Sequence, residues 1–173
     1  MEVFDIQQRD IHGGSFRVFI TRVGKMPVDP VVDELLKGEE KAGIHESDVL
    51  RQFAVAVQQN RQELIWLLRR LKHEGKRIVG VGAPAKGMTL LNYCRIGTEL
   101  LDFVTEKSRI KIGRYTPGTH IPVVSDDELI QQSPGYAPLL AWNFAEEIMG
   151  NLHVYRNRGG KFIIPILRPR IVA

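Results

Sequence analysis

Residues 76–97 carry the pattern in this chain that is best suited to binding an anionic ligand. They read KRIVGVGAPAKGMTLLNYCRIG, in which an apolar strand pattern leads through a glycine-rich turn into a helical pattern. The spacing G-x-G-x-x-G/A lets a backbone turn tightly and approach a phosphate at a helix N-terminus. A lysine ammonium beside such a turn can reach the same phosphate. A plain glycine turn has the same spacing, but we predict a ligand-binding loop made of Gly82, Ala83, Pro84, Ala85, Lys86 and Gly87.

Three further polar or aromatic residues follow predicted strands. Glu106 comes directly after the run LLDFVT, where an acidic residue often binds ribose hydroxyls. Trp142 and Asn143 end another apolar run, and an indole with an amide there could cover a base or a sugar. We predict that all three contact the ligand. The alternatives are a solvated loop carboxylate, a core tryptophan and a helix-capping asparagine.

The loop before the third predicted strand is rich in polar side chains. It contains Tyr115, Thr116, Thr119 and His120 around a Pro-Gly turn. Because the loop precedes its strand, we expect these residues on the rim opposite Gly82, away from the ligand site.

The net charge of +4 is unevenly distributed. The first 76 residues are neutral, and the excess lies in the remainder, mainly in KSRIKIGR (107–114), YRNRGGK and RPR. Nucleic acid would suit this charge, but no aromatic residues are interleaved for base stacking and no recognised nucleic-acid motif is present. A small phosphate ligand is therefore favoured over nucleic acid.

The elements that must position these residues alternate in type from residue 77 onward. Continuous apolar strands separated by helices are typical of a parallel sheet covered on both faces. The pattern predicts an α/β fold with a Rossmann-like, doubly wound, mostly parallel sheet of about five strands. The predicted strands are 77–81, 100–105, 121–125, 137–143 and 161–166, and the predicted helices are 84–96, 126–132 and 144–157.

The chain before this domain divides into three predicted segments. Residues 1–22 alternate as a β-hairpin, residues 23–45 form a connector, and a long helix over 46–74 leads the C-terminal domain of 46–173. An isolated two-stranded ribbon is marginal in water, so we expect the hairpin to belong to a larger sheet.

The composition narrows the class of protein. With 43% hydrophobic and 25% charged residues, no long apolar run and no signal peptide, the chain reads as a globular cytoplasmic protein. The single cysteine, Cys94, excludes an internal disulfide and a multi-cysteine zinc site. The catalytic motifs G-x-S-x-G, H-E-x-x-H and the P-loop are absent, so we assign no catalytic residue and no metal site.

Five stretches resemble the C-terminal domain of bacterial sugar C-methyltransferases, which methylate a carbon of a nucleotide-linked deoxy-keto sugar with S-adenosylmethionine. They are HGGSFRV, VGVGAPAKGMTLLN, PGTHIPVVSDDEL, LLAWNFAEEI and GGKFIIPI, spread from residue 12 to residue 166. The family order is a zinc-binding domain, an S-adenosylmethionine-binding Rossmann domain, and then this second Rossmann-like domain.

The resemblance implies roles that the residues alone do not. Residues 82–87, Asn92 and Glu106 would line the nucleotide-sugar side, and His12 with Ser15 would face the methyl-donor domain. The hairpin would be the tail of that domain's sheet, which makes the chain similar to a fragment of the enzyme or to a stand-alone descendant. The stretch TEKSRIKIG departs from the family pattern, which has an aspartate and a proline there.

The expected partners are a nucleoside diphosphate sugar and an S-adenosylmethionine-binding domain or subunit, with no cofactor bound by this chain itself. Two alternatives stay open. The chain could be a small Rossmann protein that binds a dinucleotide or coenzyme, or a non-catalytic interaction module whose long helix forms a homo-oligomer.

Overall fold

The computed structural model describes residues 1–11 and 14–173 and has an α/β architecture. The chain divides into two compact units, Met1–Ala56 and Val57–Ala173. The division falls inside one long helix.

The N-terminal unit is built on an antiparallel hairpin. Strands β1 (Glu2–Arg9) and β2 (Ser15–Thr21) pair along their whole length, with one irregularity between Val3 and Asp5. A helix, α1 (Pro30–Lys41), follows inside the segment that we predicted to be a connector. Asp29 caps α1 by accepting the Val31 amide at 3.0 Å, and its own amide donates to the Phe4 carbonyl at 2.8 Å. The capping residue therefore also joins the helix to β1.

The predicted long helix is present as α2 (Ser47–His73). Its buried residues all lie in the second half, which belongs to the C-terminal unit; they are Leu64, Leu67, Leu68 and Leu71. In the first half, Leu50 and Phe53 are 55% and 68% exposed. The apolar stripe of α2 is thus used for the core only from about its midpoint onward.

The C-terminal unit contains a parallel sheet whose strands are short. Strands β3 (Gly80–Val81), β4 (Val104–Glu106) and β5 (Val123–Ser125) pair in that order, each parallel to its neighbour. The connecting helices are α3 (Ala85–Cys94), between β3 and β4, and α4 (Asp126–Gln132), which begins directly after β5.

A second three-stranded sheet follows along the chain. Strand β6 (Tyr136–Pro138) pairs parallel to β7 (Lys161–Ile164), and β8 (Arg170–Val172) pairs antiparallel to β7. Between β6 and β7 lie a 3-10 turn (Trp142–Phe144) and two helices, α5 (Ala145–Asn151) and α6 (His153–Asn157), in place of the single helix predicted over 144–157.

The single five-stranded sheet predicted from the sequence is not formed as such. Among the described residues, the strands of the two sheets are linked by isolated parallel bridges, Ile78 with Tyr136 and Val81 with Leu139, in place of a continuous ladder. The Tyr136 and Leu140 amides donate to the carbonyls of Arg77 and Val81. Pro138 lies midway between Tyr136 and Leu140, so its backbone nitrogen faces the same neighbouring strand. Proline has no N–H to donate, and the hydrogen bond expected at this position is missing. A proline therefore interrupts the ladder between the two sheets.

Helices cover both faces of the strands. One core cluster joins the second half of α2 and the buried face of α3 to Ile78, Val104 and Val123. The other joins α4, α5 and α6 to Val79 and Val81. Successive strand residues point to opposite faces, so within β7 Ile163 belongs to the first cluster and Phe162 and Ile164 to the second. This arrangement leaves the carboxyl ends of the strands, and the loops that follow them, as the open edge of the domain.

Candidate functional site

The carboxyl ends of β3, β4 and β5 meet at a cavity of about 370 Å³, called here the edge cavity. Its walls come from the glycine-rich loop after β3, the end of β4, the start of α4 and one side of α5. This is the edge at which open α/β sheets bind their ligands. The lining residues are Val81, Gly82, Ala83, Pro84, Glu106, Lys107, Lys111, Asp126, Ala141, Phe144, Glu147, Ile148, Asn151 and Leu152.

Two glycines are needed for the shape of the loop and the helix that follows it. Gly82 has φ +82°, a left-handed conformation that residues with a side chain rarely adopt. A Cβ on Gly87, in the first turn of α3, would lie 2.8 Å from the Leu140 Cβ and 3.0 Å from the Leu140 carbonyl oxygen. The helix can therefore approach the segment after β6 this closely only because position 87 has no side chain.

The Glu106 carboxylate binds the glycine-rich loop itself. Its Oε2 accepts the Ala83 amide at 3.0 Å and the Lys111 ammonium at 3.1 Å. Its Oε1 accepts the amides of Lys107 at 2.9 Å and Ser108 at 3.2 Å. A carboxylate offers about four acceptor positions, and these four donors fill them. Glu106 thus positions the loop, and the Ala83 amide that was expected to face a phosphate already has an anionic partner.

These contacts also set the charge state of Glu106. Burial by itself would raise the pKa of the carboxyl, but the hydrogen bonds from Lys111, Ser108 and Ala83 outweigh it and hold the pKa below its usual value. The carboxylate is therefore charged throughout the neutral range, and it compensates the nearby Lys111 ammonium.

Lys111 joins the edge cavity to a neighbouring cavity of about 410 Å³, called here the second cavity. Its ammonium also donates to the Ala83 carbonyl at 3.0 Å, so Lys111 and Glu106 together hold both backbone polar groups of Ala83. The residues that line the second cavity are Ala83, Ala85, Met88, Lys111, Arg114, Tyr115, Thr116, Pro117 and Val123.

The expectation that the loop before β5 lies on the far rim is wrong for Tyr115 and Thr116, which line the second cavity beside Ala83. The reason is that residues 113–115 fold back antiparallel along β5. The Gly113 amide donates to the Val123 carbonyl, and the Val123 amide donates to the Arg114 carbonyl. This pairing holds Arg114 and Tyr115 beside Val123, which lines the same cavity.

The Lys86 side chain contacts two aromatic rings and does not line the edge cavity. Its ammonium is 5.4 Å from the centroid of the Trp142 ring and 5.9 Å from that of Phe144. Within the described part of the chain, the residues lining the edge and second cavities do not include Lys86. Trp142 and Asn143 line a third cavity of about 640 Å³ that also contains Arg170 and Ile166. The structure therefore brings Lys86 and Trp142 together, but neither side chain lines the edge cavity.

Two further predicted contacts, Asn92 and Ser15, are not among the residues that line the edge cavity. Asn92 donates to the Met88 carbonyl at 2.8 Å and to the Pro117 carbonyl at 3.0 Å, so it fixes the loop that walls the second cavity. Ser15 begins β2 in the N-terminal unit and donates to the Ile11 carbonyl at 2.9 Å. His12 lies outside the described residues.

Sequence reasoning missed several residues of these cavities. Asp126 begins α4 directly after β5, so the rule that ligands bind at the carboxyl ends of strands could have found it. Lys111 and Arg114 belong to the basic run 107–114, which was noted for its charge and not assigned to the site. Glu147 and Asn151 carry no local signal, because only the packing of α5 brings them to the cavity.

Other site types find little support among the described residues. No group of three or more His, Cys, Asp or Glu side chains there is arranged to hold a metal ion. Cys94 is buried, and burial raises the pKa of its thiol to about 11 despite the opposing charge of Arg61, so it is a poor nucleophile. None of the helices in residues 1–11 and 14–173 is long and apolar enough to cross a membrane.

Comparison with known proteins agrees with the resemblance seen in the sequence. The chain is 36% identical over 174 residues to the C-methyltransferase NovU of Streptomyces niveus. The match covers all of this chain and 41% of that relative, so the chain spans about two fifths of its length. The family model described as C-methyltransferase C-terminal domain matches residues 10–167. The chain therefore belongs to the C-methyltransferase C-terminal domain family.

Proposed function

We propose that this chain is the nucleotide-sugar-binding domain of a C-methyltransferase, and that it holds a nucleotide-linked keto-deoxysugar for a methyl-donor domain that is not part of the residues described here. The observation that carries the proposal is the edge cavity, which lies at the carboxyl ends of parallel strands in a member of this family. We further propose that the two short sheets act together as one Rossmann-like layer behind that cavity.

The lining of the edge cavity suits a ligand with hydroxyl groups and an apolar face. Asp126, Glu147 and Asn151 offer side-chain acceptors for hydroxyls, and Phe144 and Ile148 provide apolar surface for a ring. The volume of about 370 Å³ is at the lower end of small-molecule sites. We therefore assign the nucleoside or sugar portion of the ligand to this cavity.

Methylation of a carbon beside a keto group requires a general base within hydrogen-bond distance of the acidic proton. S-adenosylmethionine supplies the methyl group in our proposal for the complete enzyme. The residues here fit that donor poorly, because the acceptor positions of Glu106, the carboxylate after β4, are filled by protein donors. The base and the donor site are accordingly assigned to another domain, and this chain alone is expected to have no activity.

The two alternatives receive less support. A dinucleotide site uses a carboxylate at the end of a strand to bind ribose hydroxyls. The acceptor positions of Glu106 are filled by protein donors, so this carboxylate does not support the dinucleotide alternative. The alternative of an interaction module is supported by the exposed Leu50 and Phe53 side chains of α2, which could contact a second copy of the chain. Sedimentation of the purified chain would detect such a homo-oligomer.

Ligand-dependent stability tests the proposal. Thymidine or uridine diphosphate, and their sugar conjugates, should raise the free energy of unfolding by about 2.7 kcal/mol at 100 times the Kd. S-adenosylmethionine at the same concentration should have no effect. The proposal is abandoned if no nucleoside diphosphate or sugar conjugate stabilises the chain at millimolar concentration.

A variant that fills the edge cavity locates the binding. Asn151 lines the cavity at the exposed end of α5, and an Asn151→Trp side chain should weaken the nucleotide conjugate at least about tenfold by occupying its space. His153→Trp is the matched control, since His153 is exposed on the adjacent helix α6 and lines none of the cavities described above. Equal affinities for the two variants would place the ligand elsewhere.

A further inference from the structure

The two cavities that share Lys111 differ in charge. Among the described residues lining the edge cavity, the acids Glu106, Asp126 and Glu147 stand against Lys107 and Lys111. The second cavity has Lys111 and Arg114 in its lining and no acidic residue from the described part of the chain. The second cavity is therefore the more basic of the two. A ligand that spans both cavities would place its anionic part in the second cavity and its uncharged part in the edge cavity.

The glycine-rich loop is not free to act as the main anion site. The Ala83 amide donates to Glu106, and the Gly82 amide donates to the Thr105 carbonyl at 2.9 Å. A phosphate at Ala83 would have to displace a carboxylate that Lys111 and two further amides also hold. Lys86, the cation predicted to assist the loop, lies over the Trp142 and Phe144 rings.

The basic run 107–114 offers the donors that the loop lacks. An ammonium has three donors, and two of those on Lys111 go to Ala83 and Glu106, which leaves one for a ligand. Arg114 is exposed and forms no ion pair with any of the described residues. Its planar guanidinium can donate two parallel hydrogen bonds to a phosphate.

We infer that the second cavity is a phosphate-binding site in which Arg114 and Lys111 hold the diphosphate of a ligand whose uncharged part lies in the edge cavity. This inference rests on the proposed function for the identity of the ligand, and on the charge of the second cavity for the site itself. In this arrangement Lys111 stands between the two parts of the ligand, and Glu106 keeps it in place.

Charge removal at two positions of the same run tests the inference. Arg114→Ala should weaken inorganic pyrophosphate and thymidine diphosphate about tenfold, which corresponds to the loss of one hydrogen-bonded charge pair. Arg109→Ala removes the same charge from an exposed residue that lines neither cavity, and it should change both affinities less than about twofold. Unphosphorylated thymidine should bind Arg114→Ala and the unchanged chain equally.

Two ligands separate the possible failures. Calorimetry measures the affinities of thymidine diphosphate and pyrophosphate for each variant, and the Nε–Hε signal of Arg114 in the unchanged chain shows whether pyrophosphate binds at that side chain. Equal effects of Arg114→Ala and Arg109→Ala, or no binding of pyrophosphate, would overturn the inference. If pyrophosphate binding depends on Arg114 but a nucleotide sugar binds no more tightly than pyrophosphate, the anion site stands and the proposed function falls.

Discussion

Substitution of Gly87 by alanine tests the close contact that positions the glycine-rich loop. The new Cβ would lie 2.8 Å from the Leu140 Cβ and 3.0 Å from its carbonyl oxygen, whereas ordinary contacts begin near 3.4 Å. Neither atom can rotate away, so relief requires the helix to shift. Overpacking of this kind costs about 1–3 kcal/mol. Alanine in a helix gains about 0.5–1 kcal/mol over glycine, so the net loss should be between about 0 and 2.5 kcal/mol.

Gly150→Ala is the matched control, because Gly150 lies in α5 and a Cβ there would meet nothing within 4 Å. That variant should be unchanged or up to about 1 kcal/mol more stable. The free energies of unfolding, measured in urea, should therefore differ between the two variants by about 1–3 kcal/mol, or roughly 2–4 °C in Tm per kcal/mol. Equal stability of the two would refute the claim that the backbone of Leu140 requires glycine at position 87.

Three further outcomes follow from contacts away from the cavities. Burial would raise the pKa of Asp102, but hydrogen bonds from Lys72 and Arg77 hold it below its ordinary 3.8. The charged Asp102 therefore contributes fully to the stability of the fold above that pH, and the contribution is lost as the pH falls below it. Asp102→Asn should lower the free energy of unfolding in urea by about 1 kcal/mol at pH 7 and by less at pH 3. An equal loss at both pH values would contradict this. Cys94, with its pKa near 11, should react with a thiol reagent at pH 8 about a hundredfold more slowly in the folded chain than in urea, and similar rates would show that it is accessible. Asn60 donates to the carbonyls of Pro165 at 2.9 Å and Leu167 at 2.8 Å, so Asn60→Ala should lose about 1–2 kcal/mol of stability in spite of better helix propensity, and a gain would show that these bonds contribute nothing.

The regular elements could be predicted wherever one pattern dominated. The long helix and the hairpin follow from periodicity, and the bounds of α4 are those predicted for it. Helix α1 was missed, although Asp29 and Pro30 are a typical capping pair, because glycine and proline around it suggested a connector. The separation of the predicted five-stranded sheet into two sheets could not be predicted. It depends on which neighbouring strand the backbone nitrogen of Pro138 faces, and the sequence alone does not give that direction.

The site was predictable only in part, for a similar reason. The glycine-rich loop lies at the edge cavity because a strand, a turn and a helix fix its place locally. The partner of its amide was not predictable, since Glu106 is 23 residues from Ala83 and reaches it through the pairing of β3 with β4. Likewise, Lys86 was assigned to a phosphate from its position, and its contact with Trp142 arises from packing across 56 residues of chain.

The short strand β8 covers one edge of β7. The residues Phe162, Ile163 and Ile164 of β7 are buried, and among the described residues Arg170, Ile171 and Val172 form the outermost strand of this sheet. An uncovered β7 would present a flat apolar border with free amides to any other polypeptide, which is the usual start of strand-to-strand aggregation. A three-residue strand that begins beside a proline and carries an arginine is a poor template for such growth, so β8 shields the apolar residues of β7 from strand addition.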